Sequence, residues 1–213
     1  MTRVLSLLLF TQLIFVQTSQ AGNLDEAIHQ LQTAWAIANY QTDESKTEAA
    51  FEKLNQQADA IISSYSDKAE PLIWKAIVMS SDAGKNGGLS ALGKVKAARE
   101  LLLKAEKINP AALDGSIYTS LGSLYYKVPG WPIGFGDNEV AEKHLQTALI
   151  MNPQGIDSNY FYGDFLLEEG KYQKAIEYFN KALKAPPRAT RPLADKGRRD
   201  EINTKLSQAK SYL

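Results

Sequence analysis

The sequence predicts an all-α protein, a solenoid of stacked helical hairpins with capping helices at its ends. Three observations carry this. The pattern Ala-x3-(Leu/Phe)-x2-Ala-x4-Pro occurs three times, as Ala98-Leu102-Ala105-Pro110, Ala141-Leu145-Ala148-Pro153 and Ala175-Phe179-Ala182-Pro187. Its prolines are 43 and then 34 residues apart, the period of a repeated supersecondary unit. Elsewhere apolar residues recur at helical spacing, and no stretch shows convincing strand-like alternation. Residues four and seven apart share one helix face, so each copy of the pattern writes a small-large-small stripe. Alanine admits a neighbouring helix closely, the large residue fills the gap beside it, and the proline follows a helix that it cannot continue.

The elements follow in order. Leu24, Ile28, Leu31, Trp35 and Ala38 form the stripe of a first helix. Asp43 is the expected N-cap of a second, which runs to about Tyr65 with Phe51, Leu54, Ala58, Ile61 and Ile62 inward. A third helix opens near Trp74 and Ile77, and Gly84-Lys85-Asn86-Gly87-Gly88 is expected to break it before the helix resumes over 92–108. Residues 110–127 follow as helix and 128–136 as a loop, and Asp137 is the expected cap of 140–152. Residues 156–169 and 171–185 make the last pair, joined at Gly170-Lys171. A final helix from about Asp195 carries Ile202, Leu206, Ala209 and Leu213 on one face and Lys196, Arg199, Lys205 and Gln208 on the other. Such an amphipathic end helix closes the open end of a solenoid.

The residues upstream of the stripes add a resemblance. Tyr118-x2-Leu121-Gly122-x2-Tyr125 resembles the first helix of a tetratricopeptide repeat, with Tyr in place of Trp, and residues 159–187 resemble one whole repeat. The other two copies carry insertions. Gly122 to Ala141 is 19 residues and Val78 to Ala98 is 20, against 12 from Gly163 to Ala175, and Val78 stands where the repeat usually has Gly. The resemblance implies a right-handed superhelix. It divides the chain into a leader (1–21), an N-terminal hairpin that serves as a degenerate repeat or cap (22–69), three repeats with two insertions (70–187), and a basic segment with a capping helix (188–213).

The first residues read as a secretory leader. Arg3 is the positive start, residues 4–16 are an apolar run too short to span a membrane comfortably, and Ser19-Gln20-Ala21 offers a cleavage site before Gly22. An uncleaved anchor or a buried core helix is the alternative. No cysteine occurs anywhere, so neither a lipid anchor nor disulfides are expected. These features place the protein in the periplasm or outside the cell. The 24 basic and 24 acidic residues balance, which gives no support for nucleic acid or an anionic membrane surface as partner.

Chemistry-bearing residues are few. The two histidines, His29 and His144, fall in different hairpins, and His144 is expected on a solvated face, so no catalytic or metal pair is indicated. Gly84-Lys85 lacks the spacing, the Ser/Thr and the preceding strand of a phosphate loop. No cofactor, metal or catalytic activity is expected. The segment Val128-Pro129-Gly130-Trp131-Pro132-Ile133-Gly134-Phe135-Gly136-Asp137 is unusually long and apolar for a solenoid turn. Two readings of it stand: a plug with Trp131 and Phe135 tucked against the repeats, or a lid over an apolar ligand site. Arg188, Arg191, Arg198 and Arg199 make a basic patch, in which Arg198 and Arg199 can pair with Asp195, Asp200 and Glu201 on their own helix, as on a solvated, ion-paired face.

In tetratricopeptide proteins the first helices of the repeats line a concave groove that holds a partner. The resemblance puts Lys75 and Met79, Thr119 and Ser123, and Tyr160 and Asp164 on that groove. Tyr160, Phe161, Tyr162 and Phe165 also crowd one helix, as core residues commonly do. Chaperone-binding members clamp a peptide carboxylate with Lys and Asn; Lys75 fits, whereas Met79 and Ser123 do not supply Asn. The chain is also similar to the small T component of periplasmic TRAP transporters, through Val128-Pro129-Gly130-Trp131-Pro132, Phe135-Gly136-Asp137 and Asn152-Pro153-x-Gly155-Ile156-Asp157. That resemblance implies a trimer with a lipophilic passage and a substrate-binding partner protein. The expected function is an exported binding module, engaging another periplasmic or envelope protein in its groove or, as the alternative, a hydrophobic small ligand.

Overall fold

The structure, a computed structural model, describes residues 18–88 and 90–213. The leader expected over 1–21 lies, up to residue 17, outside the described residues. Helices α1 (Thr18–Tyr40) and α2 (Glu44–Ser64) form a first hairpin, and α3 (Ala69–Asn86) and α4 (Ala91–Ile108) a second. A third pairs α5 (Ser116–Lys127) with α6 (Asn138–Met151), a fourth α7 (Ile156–Glu168) with α8 (Tyr172–Leu183), and α9 (Pro192–Lys210) ends the chain. Among the described residues there is no strand; Gly130 and Gly136 form an isolated bridge. Nor is any helix among them long and apolar enough to cross a membrane.

The stripes set the packing. Every residue of Ala98-Leu102-Ala105, Ala141-Leu145-Ala148 and Ala175-Phe179-Ala182 is fully enclosed. The paired first helix leaves room for the large member of the stripe. A Cβ on Gly122 would lie 2.5 Å from Leu145, and one on Gly163 would lie 2.9 Å from Phe179. Glycine is needed at both places for close approach, not for its backbone freedom.

Local signals explain most of the boundaries. Asp137 caps α6, accepting from the Glu139 and Val140 amides at 2.9 and 3.1 Å. Asp43 occupies the same place before α2 but makes no cap bond; its carboxylate meets Lys46 at 3.4 Å instead. The expected break falls in the second half of Gly84–Gly88. Helix α3 continues through Gly84, Lys85 and Asn86 and stops at Gly87, which takes φ +57°. The insertion between Val78 and Ala98 is therefore spent largely on lengthening α3 and α4 to 18 residues each. Helix α5 starts later than expected. Leu113, Asp114 and Gly115 all take positive φ (53°, 50° and 83°), and the helix begins only at Ser116.

The last helix does more than cover an open end. It packs on α8 and α7 and also on α1. The approach to α1 is close: a Cβ on Gly197 would fall 2.5 Å from the Tyr40 ring. Arg199 donates to the carbonyls of Leu183 and Ala185, which satisfies acceptors left open at the end of α8. On the other side, the extended end of α3 reaches α1, with Trp35 Nε1 donating to Ser81 Oγ at 2.9 Å and Lys85 Nζ to the Asn39 carbonyl at 2.8 Å. The first and last helices thus meet, and the concave side of the solenoid becomes a recess partly closed off from solvent.

Candidate binding site

The recess is built from the inward faces of the first helices, closed by the segment that leads into α9. Two adjoining cavities of about 130 and 420 Å³ share Trp74, Ser116, Thr119, Asp157, Arg188 and Arg191 in their walls. Helix α3 supplies Trp74, Ile77, Ser80 and Ser81, and α5 supplies Ser116, Thr119, Ser120 and Ser123. Trp35 and Tyr40 of α1 and Phe161 of α7 complete an aromatic side. The Trp35 ring meets Trp74 and Tyr40 edge-on at 5.9 and 5.8 Å, an arrangement that fixes all three rings. Burial pushes the Tyr40 phenol up to about 12, with Arg198 opposing that rise. The wall is therefore mixed: hydroxyls along α3 and α5, aromatic rings beside them, and arginines on the closing segment.

The arginines are held in an ordered network. Asp157, at the start of α7, accepts from Arg188 at 2.7 Å through one oxygen and from Arg198 Nε at 2.8 Å through the other. Arg188 also engages Asp195, through Nε and its backbone amide at 2.6 and 2.7 Å, and Arg198 engages Glu201. Arg198 lies over the rings of Tyr160 and Phe161 at 4.4 and 4.7 Å. The Asp157 side chain keeps 31% of its exposure, towards the cavity that it lines. Burial alone would raise its pKa, but Arg198, then Arg188 and Arg191, outweigh that and hold it far below the usual carboxylate range. The expectation of a solvated basic face is thereby corrected for Arg188, Arg191 and Arg198. They turn inward as α9 returns across α7 and α1; Arg188 and Arg198 take Asp157 of α7 as a partner, while Arg198 keeps the expected pairing with Glu201 on its own helix.

Arg191 differs from its neighbours. Among the described residues its guanidinium makes no ion pair and no hydrogen bond, and its Nε is fully buried; it lies 5.0 Å from the centre of the Trp74 ring. Burial lowers its pKa, Asp157 acts in the opposite sense, and Arg188 and Arg198 lower it further. Trp74 Nε1 is likewise buried with no acceptor among the described residues.

Of the residues expected on the groove, Thr119 and Ser123 line the recess. The others do not. Lys75 turns to α2, where it pairs with Asp59 at 2.9 Å and donates to the Asn55 carbonyl at 3.0 Å, so it is spent on packing and is not available to clamp a carboxylate. Met79 is half-buried against the core cluster shared by α3 and α4. The inward face of α3 is set by Trp74, Ile77 and Ser81, a different register from that of α5. Tyr160 is buried under Arg198, against Phe161 and Phe179. Asp164 is buried between Lys127 and Lys205, at 2.8 and 2.9 Å, and accepts from the Tyr126 hydroxyl at 2.8 Å. Burial would raise its pKa, yet the two lysines bring it below the usual value.

The loop expected to be a plug or a lid is divided. Phe135 is tucked in, edge-on to Tyr125 at 5.4 Å and under Arg99 at 4.4 Å. Trp131 is 90% exposed and touches neither cavity, so it neither plugs the repeats nor closes the recess. His144 is also corrected. It is half-buried, stacked on Tyr118 and Tyr125 at 6.0 and 5.6 Å, and burial lowers its pKa. His29 lies on α1 away from it, and among the described residues no cluster of metal-ligating side chains occurs. The residues that the sequence reading missed as one site are Trp35, Tyr40 and Asp157. Their signal was weak, because each also fits an ordinary core stripe or a helix start.

Comparison with known proteins bears on the fold. Residues 133–190 match the tetratricopeptide repeat family. A thermophilic TPR protein of Thermus thermophilus superposes with a TM-score of 0.56 at 16% identity, over 90% of this chain and 95% of that one. A MamA protein structure gives 0.45 at 18% identity, over 90% of this chain and 92% of that one. No curated protein sequence matches the chain significantly. The helical pairing, the buried stripes and the likeness to the Thermus protein together make the fold a tetratricopeptide-type helical solenoid.

Proposed function

We propose that the protein is an exported, non-catalytic interaction module that takes part of another molecule into its concave recess. The observation that carries this reading is the recess itself. It presents serine and threonine hydroxyls, aromatic rings and the guanidinium of Arg191, unpaired among the described residues, to a space that α1 and α9 partly close. Convergent polar groups in an otherwise apolar concavity are the usual form of a binding site. Because the recess is closed on the α9 side, it suits a small molecule or the end of a partner's chain better than a helix lying across it. Protein interaction is the function analogous folds commonly serve, a fold-level analogy. Export rests on Arg3, the apolar run after it and the Ser19-Gln20-Ala21 site.

The T-component reading has one observation in its favour. Asn152, Gly155, Ile156 and Asp157, which carry part of that resemblance, line the larger cavity. The arginines and hydroxyls of the wall argue against a purely lipophilic passage.

A photo-reactive amino acid placed at Ser120, inside the recess, and at Ile150, which is exposed on α6, tests the proposal. Discrete adducts of defined mass at position 120 and none at 150 are expected in cells. Equal labelling at both positions, or labelling at 150 alone, would contradict the reading.

A further inference from the structure

The recess contains donors that the fold does not use, and these specify the chemistry of what enters. Arg191 has its Nε buried, makes no ion pair among the described residues, and is flanked by Arg188 and Arg198 in the same wall. Trp74 Nε1, beneath it, is a second buried donor without an acceptor among the described residues. Leaving a buried donor unmet is costly, and the cost is larger for a charged group. Asp157 is the carboxylate in the wall of both cavities, but its two oxygens are already taken by Arg188 and Arg198. In the smaller cavity, where Asp157 is the one carboxylate of the wall, a cationic ligand would therefore find no free counter-charge, whereas an anion would find one. Beside Arg191 the surface changes character. Trp35, Trp74, Tyr40 and Phe161 offer ring faces and edges, with Ser81 already occupied by Trp35 Nε1 at 2.9 Å. A ligand that satisfies both halves has a compact anionic head and a flat apolar body.

We propose that the recess binds a small organic acid, with its carboxylate on the Arg191 guanidinium and its apolar body on the Trp35–Trp74–Phe161 side. One unpaired guanidinium accommodates one carboxylate in the planar two-point geometry that arginine favours. The Asp157 network acts on this site by position: it fixes Arg188 and Arg198 at each side of Arg191 and leaves the third arginine to the ligand. The proposal rests on the recess being the binding site, and names the class of ligand it takes.

The test uses one molecular shape in three charge states: phenylacetate, phenylacetamide and phenethylamine. The chain has three tryptophans, and Trp131→Phe removes the exposed one, so that emission reports Trp35 and Trp74 in the recess wall. Titration of this protein with each probe is expected to show phenylacetate binding about ten- to a hundredfold more tightly than phenylacetamide, and phenethylamine weakest. Arg191→Met should erase the preference for the acid while helical content and melting stay near those of the parent, and Arg191→Lys should keep part of it. Equal affinity for acid and amide, or tighter binding of the amine, overturns the anion assignment and leaves the recess as a binding site. Binding of none of the three also overturns the anion assignment; the crosslink at Ser120 then decides the recess reading alone. A preference for the acid that survives Arg191→Met overturns the role given to that residue.

Discussion

Asp157 ties the C-terminal return to the body of the solenoid. Its two oxygens join Arg188 of the closing segment to Arg198 of α9, and with Asp164, which pairs with Lys205 of α9, it fastens the C-terminal return to α7. The folded state depresses its pKa, against an unfolded value of about 3.9. A depressed carboxylate contributes stability that is present in full above the unfolded pKa and is lost as pH falls through the folded one. Asp164, held between Lys127 and Lys205, acts in the same sense. Urea titrations should therefore show stability level near neutrality and falling below about pH 5. Asp157→Asn is expected to cost about 1–3 kcal/mol at pH 7, less than for a fully buried pair because the side chain still meets the cavity, and to make the acid decline shallower. An unchanged acid limb in that variant would show that the depressed pKa belongs to another group.

At the scale of the element, the repeat stripes were legible in the sequence because one spacing decides both the helix face and the neighbour it meets. Ala182 lies fully enclosed between α7 and α8, whereas Lys184 is exposed. Ala182→Leu should lower stability by about 1–3 kcal/mol, and Lys184→Leu by less than about 0.5 kcal/mol, in chemical denaturation. Equal losses would put the stripe in the wrong register. The insertions were not legible in this way. Gly84-Lys85-Asn86 reads as a breaker on local propensity, yet a tertiary contact from Lys85 to α1, with a one-turn bond from Asn86 back to Asp82, carries the helix through it. The Trp131 loop shows the opposite failure. Its apolar composition suggested burial throughout, but the short segment can turn only part of itself inward, and Phe135 takes the one socket between Tyr125 and Arg99. Trp131→Ala should accordingly leave the melting temperature within experimental scatter, while Phe135→Ala should cost about 1–3 kcal/mol. A large loss from Trp131→Ala would mean that the ring is covered in solution.

For the whole molecule, the decisive feature is that the solenoid's two ends meet. The sequence marked the last helix as a cap by its amphipathic pattern, and marked the arginines as a patch. It held no signal that the cap would also reach α1, because that contact depends on the curvature accumulated over four hairpins and not on any local pattern. Gly197 against Tyr40, and the arginine network behind them, turn an open groove into a partly closed recess. The size and chemistry of the ligand follow from that closure. The chain has no cysteine, so spin labels can be placed singly at Gln41→Cys and Thr204→Cys, two positions on opposite sides of the same narrow cleft between α1 and α9. Double electron–electron resonance should then give one narrow distance population at the short end of the measurable range. A broad or long distribution would contradict the account, because it would mean that α9 leaves α1 and that the recess is an open groove in solution.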